Sequence, residues 1–399
     1  MLSRLRAIAD APLLSAGFRP FFLLGALYAG LSILVWMPAF HGRLEIASAF
    51  VPRDWHIHEM LYGFLSAVVT GFLFTAIPHW TGRLPIRGLP LLGLVLLWIA
   101  GRVIVTFSAH TGWLVAMLVD AAFLTLVVFA AAREIAAGKN WRNLPVVGIV
   151  SCLLVGNVAF HLEARHVVMA DISIRIGVAV IVLLLSLIGG RIIPSFTRNW
   201  LVRENPGRLP VPFARFDKMV LVLTVAALLL WIAHPLDSVT ALFLLVAGLL
   251  HVVRLARWAG DRTMREGLLL ILHIGYAFVP AGFLLSAAAG FKDVPASAGL
   301  HAWMAGAAGV MTLAVMSRAT LGHTGQALHA STATVAIYAL IIVAALLRIA
   351  AVLIPGVVPL LHTAALAWAL AFIGFAVVYA PLLIGYRKKR RAVGRISEA

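Results

Sequence analysis

The stretch Trp55-His56-Ile57-His58-Glu59-Met60-Leu61-Tyr62-Gly63, running on through apolar residues to Pro78-His79-Trp80-Thr81-Gly82, decides how this chain is read. It is apolar enough and long enough to cross a bilayer as one helix, which takes about 20 residues. Yet it opens on two imidazoles and a carboxylate. Ionisable groups inside a membrane helix are costly, turn toward the bundle interior and mark a functional site. A second stretch repeats the pattern, from His301 through Gly306 and Met311 to His323-Thr324-Gly325. His58 lies 23 residues before Thr81 (81 − 58), and His301 lies 23 before Thr324 (324 − 301). Gly63 and Gly306 each lie 18 before their threonine (81 − 63; 324 − 306). Two imidazoles at equivalent depth can hold one metal or one haem iron between them.

The rest of the chain has the same character. Of its 399 residues, 62% are hydrophobic and only 12% charged, and the mean hydropathy is +1.02. That balance predicts an all-α, polytopic membrane protein, since a spanning helix satisfies its own backbone polar groups. About twelve apolar stretches of spanning length can be counted. They fall near 15–40, 56–79, 89–108, 112–133, 144–165, 172–194, 217–235, 238–256, 266–290, 298–320, 333–354 and 359–385. The polar stretch from Thr197 to Lys218 reads as a loop. The whole chain, 1–399, reads as one transmembrane domain with short basic tails at 1–14 and 386–399.

The formal charge of +17 does not point to nucleic acid, because the cations are placed by side. With the N-terminus in the cytoplasm, the loops on its side carry Arg83, Arg87, Arg133, Arg142, Arg198, Arg203, Arg208, Arg215, Arg254, Arg257 and Arg262, and the tail adds Arg387-Lys388-Lys389-Arg390-Arg391. The opposite loops carry few, among them Arg43, Arg53, Arg165 and Lys292. That asymmetry predicts both termini in the cytoplasm. The basic tail reads as a topology determinant beside anionic lipid. The first ten residues show no signal-peptide cleavage pattern. The single cysteine, Cys152, excludes an intramolecular disulfide and any multi-cysteine metal site, so bound metal must draw mostly on histidine.

A third stretch, Gly190-Arg191-Ile192-Ile193-Pro194-Ser195-Phe196-Thr197, ends the sixth span. Pro78 and Pro194 each lie three residues before a threonine. The spacing predicts that helices two, six and ten are related, giving three pseudo-repeats of four helices. The alternative is that helix ends share Pro, Thr and Gly by composition alone.

On this topology His56, His58 and Glu59 open helix two at the outer face. Helix five brings Asn157, His161 and Glu163 to that face, and helix ten brings His301. His56 and His58 are two residues apart, so at about 100° per residue they point to nearly opposite sides. The candidate cofactor ligands are His58 and His301, on one iron, with Arg175 and Arg102 placed to pair with haem propionates. A non-covalent haem b is expected, since no Cys-x-x-Cys-His motif is present. His56 is expected at a second centre, a copper site shared with His161 or His273, because imidazole suits copper where thiolate is lacking. His323 is a further candidate metal ligand near the other face. His56 and Glu59 are the candidate catalytic residues, with Glu59 and Glu163 as proton relays. The bland alternatives are an interfacial histidine belt, core histidines bonded to backbone, and arginines paired with Asp120, Glu163 or lipid phosphate.

The runs Trp55–Gly63 and Gly71–Gly82 resemble the NnrS family. So do Gly190–Thr197, Asn157–His161, Leu272-His273-Ile274-Gly275-Tyr276, Met311–Gly325 and Ser15–Phe22. The resemblance implies a bacterial inner-membrane protein containing haem and copper and linked to nitric oxide metabolism and nitrosative stress. The layout is also similar to the catalytic subunits of haem-copper oxidases and nitric oxide reductases, in which a haem sits between helices two and ten. It departs from them in helix six, which lacks a copper-ligand histidine, and in helix seven, which lacks a histidine pair. The expected activity is redox chemistry on nitric oxide with an electron donor outside the chain. The alternative is a transporter or sensor that binds haem, copper or a metal–nitrosyl without turnover. Transport would favour broken helices, for which Pro280 in helix nine is the candidate.

Overall fold

The computed structural model describes residues 8–166 and 170–385, so the basic run at 387–391 lies outside the described residues. Twelve helical spans follow one another. They are α1 (Phe18–Phe40), α2 (Pro52–Thr81), α3 (Leu89–Thr106), α4 (Trp113–Ala137), α5 (Trp141–His166), α6 (Ile172–Glu204), α7 (Arg215–Ala233), α8 (Ser238–Arg262), α9 (Gly267–Gly290), α10 (Ser297–His323), α11 (Thr332–Leu353) and α12 (Val358–Leu383). The chain is an integral membrane protein. Large apolar side chains such as Leu96, Phe129, Val155, Val222, Leu229 and Val377 are turned outward. Charged side chains such as Glu59, Arg102, Asp120 and Arg254 are buried inside. Lipid is the solvent that makes this distribution stable.

Local sequence sets the helix ends. Pro52 starts α2 in the first turn, where its missing N–H costs nothing. Gly82 ends it in the left-handed region, φ 70°, with its N–H donating to the Pro78 carbonyl. Asp237 caps α8 by accepting from the N–H groups of Val239 and Thr240. Two expectations need correction. The sixth helix does not stop at 194 but runs through Pro194 to Glu204, so Thr197–Glu204 is helix rather than loop. The polar residues there form an amphipathic extension, and the helix ends only where Asn205-Pro206-Gly207 follows. Likewise α9 runs unbroken through Pro280.

Each span packs on the next, and α12 packs back on α1, closing the bundle. In every successive group of four spans the first two are more buried than the last two, and the second is the most buried of all. That second member is α2, α6 and α10 in turn. Each of these three carries a π-helical segment: Glu59–Leu65, Leu185–Gly189 and Ala302–Ala308. In α2 and α10 the segment begins at the residue after the aligned histidine, His58 or His301. In α6 it lies nearer the other end, finishing five residues before Pro194 (194 − 189), against 13 before Pro78 in α2 (78 − 65). The four-helix unit is thus expressed in burial and in local geometry. A π segment inserts a residue per turn and re-aims the side chains around it, a device concentrated at functional sites.

Candidate functional site

Two sites lie against opposite sides of α2. The first is a polar cluster enclosed by α1 to α5. His58, Glu59, Asp120, Asn157, His161 and Arg102 are all 5% exposed or less, so their polar atoms must satisfy one another. His58 Nδ1 lies 2.8 Å from Glu59 Oε1. Its Nε2 lies 3.0 Å from Asn157 Oδ1 and 3.2 Å from Asp120 Oδ2. His161 Nε2 is also 3.2 Å from Asp120 Oδ2. Arg102 clamps both acids: Nη1 donates to the two Glu59 oxygens at 2.7 and 2.8 Å, and Nη2 donates to Asp120 Oδ1. The Tyr28 hydroxyl donates to Glu59 Oε2. Phe50 and Phe160 pack on the His58 ring with centroids 5.1 Å away and keep water out.

The sequence explains the assembly. Asn157 and His161 are four apart on α5 and share a face. Gly63 lets Arg102 in, since a Cβ there would lie 2.7 Å from Arg102 Nη1. The donor atoms of His58, Asp120 and His161 all lie within 4.8 Å of one another, so the three side chains can reach one metal ion.

The second site is a cavity of about 150 Å³, open at one side, between α1, α2, α6, α10, α11 and α12. The wall is apolar except for His56, His301 and Arg348. His56 is stacked on Trp36, with ring centroids 4.2 Å apart, and its Nδ1 is buried with no hydrogen-bond partner among the described residues. His301 Nδ1 lies 2.7 Å from the Ser297 carbonyl, so that nitrogen carries the proton and donates. Its Nε2 is left with a free lone pair, the arrangement found in metal-ligating histidines. Arg348 makes no ion pair or hydrogen bond among the described residues, although it is partly buried in the cavity wall. A guanidinium so placed calls for an anionic partner. The cavity therefore offers two imidazole nitrogens and one guanidinium to whatever it binds.

The expected pairing of His58 with His301 is not what the structure shows. His301 shares its cavity with His56, while His58 faces α4 and α5. The reason is the helical step. His56, Met60 and Phe64 form the face of α2 turned to the cavity, and a two-residue step carries His58 to the far side. His161, expected beside His56, lies beside His58. Arg102 is occupied by Glu59 and Asp120, and Arg175 donates to the Ile232 carbonyl at 3.0 Å, so neither faces the cavity. Glu163 accepts from the N–H groups of Asp171, Ile172 and Ser173 and caps α6. His273 bonds Thr197 at 2.9 Å, and His323 stacks on His79 with centroids 5.5 Å apart; neither joins the two sites.

Sequence reasoning gave Asp120 only a pairing role and passed over Arg348 as a binding group. The usable signal was the same for both: a lone charge in a long apolar helix, which must have a partner.

A sequence model described as NnrS protein matches residues 12–387, nearly the whole chain. A comparison with curated proteins finds no match.

Proposed function

The chain belongs to the NnrS family, and from that membership, which points to nitric oxide metabolism, we propose a haem- and copper-dependent membrane redox protein acting on nitric oxide or on products of nitrosative stress. The observation that carries the reading is the cavity in which His56 and His301 present unengaged ring nitrogens beside the unpaired Arg348. His56 and His301 would hold a haem b there, and Arg348 would face its carboxylates. Such a group would supply an iron that exchanges electrons and, once one of the two imidazoles is displaced, takes a diatomic ligand.

The residues around it do the rest. Trp36 holds the His56 ring in plane, and the Ser297 carbonyl fixes the His301 tautomer. The apolar wall of Ile33, Leu61, Phe64, Ile174 and Val178 excludes water. It also suits an uncharged diatomic substrate arriving through lipid. Copper completes the reading. Electrons come from a donor outside the chain. The bias of arginine and lysine toward one side supports both termini in the cytoplasm, and the family supports a bacterial inner membrane.

The test is an optical spectrum and a pyridine haemochrome on protein purified from haem-replete cells. Wild-type protein should carry non-covalent haem b, and His56→Ala and His301→Ala should each lose or alter its spectrum. A wild-type preparation free of haem, or both variants with wild-type spectra, overturns the reading.

A further inference from the structure

We propose that His58, His161 and Asp120 are the ligands of a divalent first-row transition-metal ion, held between α2, α4 and α5 on the opposite side of α2 from the cavity. The proposal gives the copper of the reading above a location. It stands or falls separately from the haem.

Spacing is the first argument. Asp120 Oδ2 lies 3.2 Å from Nε2 of both His58 and His161. Ligands bonded at about 2.1 Å to a tetrahedral ion are about 3.4 Å apart. Two of the three donor pairs already stand at about an edge of such a polyhedron, and the third lies within 4.8 Å. Asn157 Oδ1, 3.0 Å from His58 Nε2, is at hand as a further oxygen.

Charge is the second. Glu59 and Asp120 are both buried, and Arg102 is the only permanent cation paired with them among the described residues; His58 and His161, which touch the same acids, are neutral unless protonated. With neutral imidazoles, two carboxylates against one guanidinium leave the enclosure one positive charge short, which either a proton on His58 or a bound cation can supply. Uncompensated charge at membrane depth is costly. A bound cation removes the deficit.

Orientation is the third. Glu59 on His58 Nδ1 fixes the ring so that Nε2 faces Asp120 and His161. A carboxylate on the outer nitrogen of a ligating imidazole is the support that metal sites recurrently use. Arg102 holds the other oxygen of Asp120, leaving Oδ2 for the ion. Glu59 is thus a positioning residue rather than a ligand. Two imidazoles and one carboxylate, with no thiolate, select zinc, copper, iron or nickel over calcium or magnesium.

The experiment counts metal and haem on the same sample. The full chain is purified in detergent, loaded in turn with Cu(II), Zn(II) and Co(II), washed, and analysed by mass spectrometry for metal and by haemochrome for haem. Wild-type protein and His273→Ala, a buried histidine outside the cluster, should hold close to one ion per chain. Asp120→Asn and His161→Ala should lose more than about tenfold in metal affinity, since even outer supports are worth that much. Glu59→Gln should weaken binding with the ligands still in place. If the variants do not fold, the Cu(II) paramagnetic resonance spectrum of wild-type protein decides: coupling to two imidazole nitrogens supports the site. Wild-type protein that takes up none of the three ions overturns the proposal, as does unchanged metal content in Asp120→Asn and His161→Ala. Metal without haem supports this site and overturns the cavity reading; haem without metal does the reverse.

Discussion

His58 and His161 converge on a single oxygen: Asp120 Oδ2 stands 3.2 Å from Nε2 of each ring. The two histidines come from α2 and α5 and the acid from α4, so three helices of separate sequence position are fixed at one atom. That relationship divides the molecule. Everything charged on one side of α2 is paired within the cluster, whereas the other side shows His56, His301 and Arg348 with polar atoms left open. The first arrangement suits a small cation, the second a ligand with its own carboxylates.

Arg102 is the electrostatic centre of the cluster, donating to both Glu59 and Asp120. Arg102→Met should leave two buried carboxylates without their shared cation. Breaking a buried pair in this way costs about 3–5 kcal/mol. Thermal unfolding in detergent should show a large fall in Tm, and adding Glu59→Gln to the variant should recover part of it. An Arg102→Met protein as stable as wild type contradicts the buried ion-pair arrangement.

The bundle was readable because a bilayer demands long apolar helices, and hydropathy alone finds them. The kinship of α2 and α10 was readable from the His58–Thr81 and His301–Thr324 spacings, and it reappears as paired π segments in these two helices. The partners of each imidazole were not readable. Aligned sequence positions in a repeat have equal depth, but the helices that face them differ. His58 looks at Asp120 and His301 at a cavity, although they are equivalent by register. The two-residue step from His56 to His58 did separate two sites, as helical geometry requires. Which histidine belonged to which site depended on how α2 is rotated, and the periodicity of an almost uniformly apolar helix carries little information on rotation.

Gly282 and Gly306 mark where α9 and α10 touch. A Cβ at Gly306 would collide with the Phe278 ring, and one at Gly282 with the Trp303 ring. Both neighbours are rings in a packed interface, so they cannot swing clear. Gly306→Ala and Gly282→Ala should each destabilise by about 1–3 kcal/mol through overpacking. Unfolding midpoints in detergent check this. Gly93→Ala, where a Cβ meets nothing within 4 Å, is the control and should hold or slightly raise the midpoint, since alanine is the better helix former.

Arg348 separates charge from packing in the cavity. Arg348→Lys keeps a cation beside His56 and His301, while Arg348→Gln removes it. If a bound carboxylate pairs with this side chain, Gln should lower cofactor retention during washing and Lys should retain more of it. Haem per chain is the readout. Metal content of the His58 cluster should stay constant in both, because Arg348 takes no part there. Equal retention in Gln and Lys variants rules out an anchoring role for the charge.

The second buried polar group of the bundle should prove structural. Arg254 is fully buried and donates to Asp217, the Ser186 carbonyl and the Tyr276 hydroxyl, the last two at 2.9 Å. His251 joins it through Nδ1 to the same hydroxyl at 3.0 Å and through Nε2 to Thr224 at 2.9 Å. These contacts tie α6, α7, α8 and α9 together, and none of their residues lines the cavity or the His58 cluster. Tyr276→Phe deletes one oxygen and leaves both an Arg254 N–H and a His251 nitrogen short of a partner. The expected cost is about 1–3 kcal/mol, the penalty for buried polar groups left unsatisfied. Haem and metal per chain should match wild type in the fraction that folds. A Tyr276→Phe protein with wild-type stability but depleted haem or metal would move this network from scaffold to site.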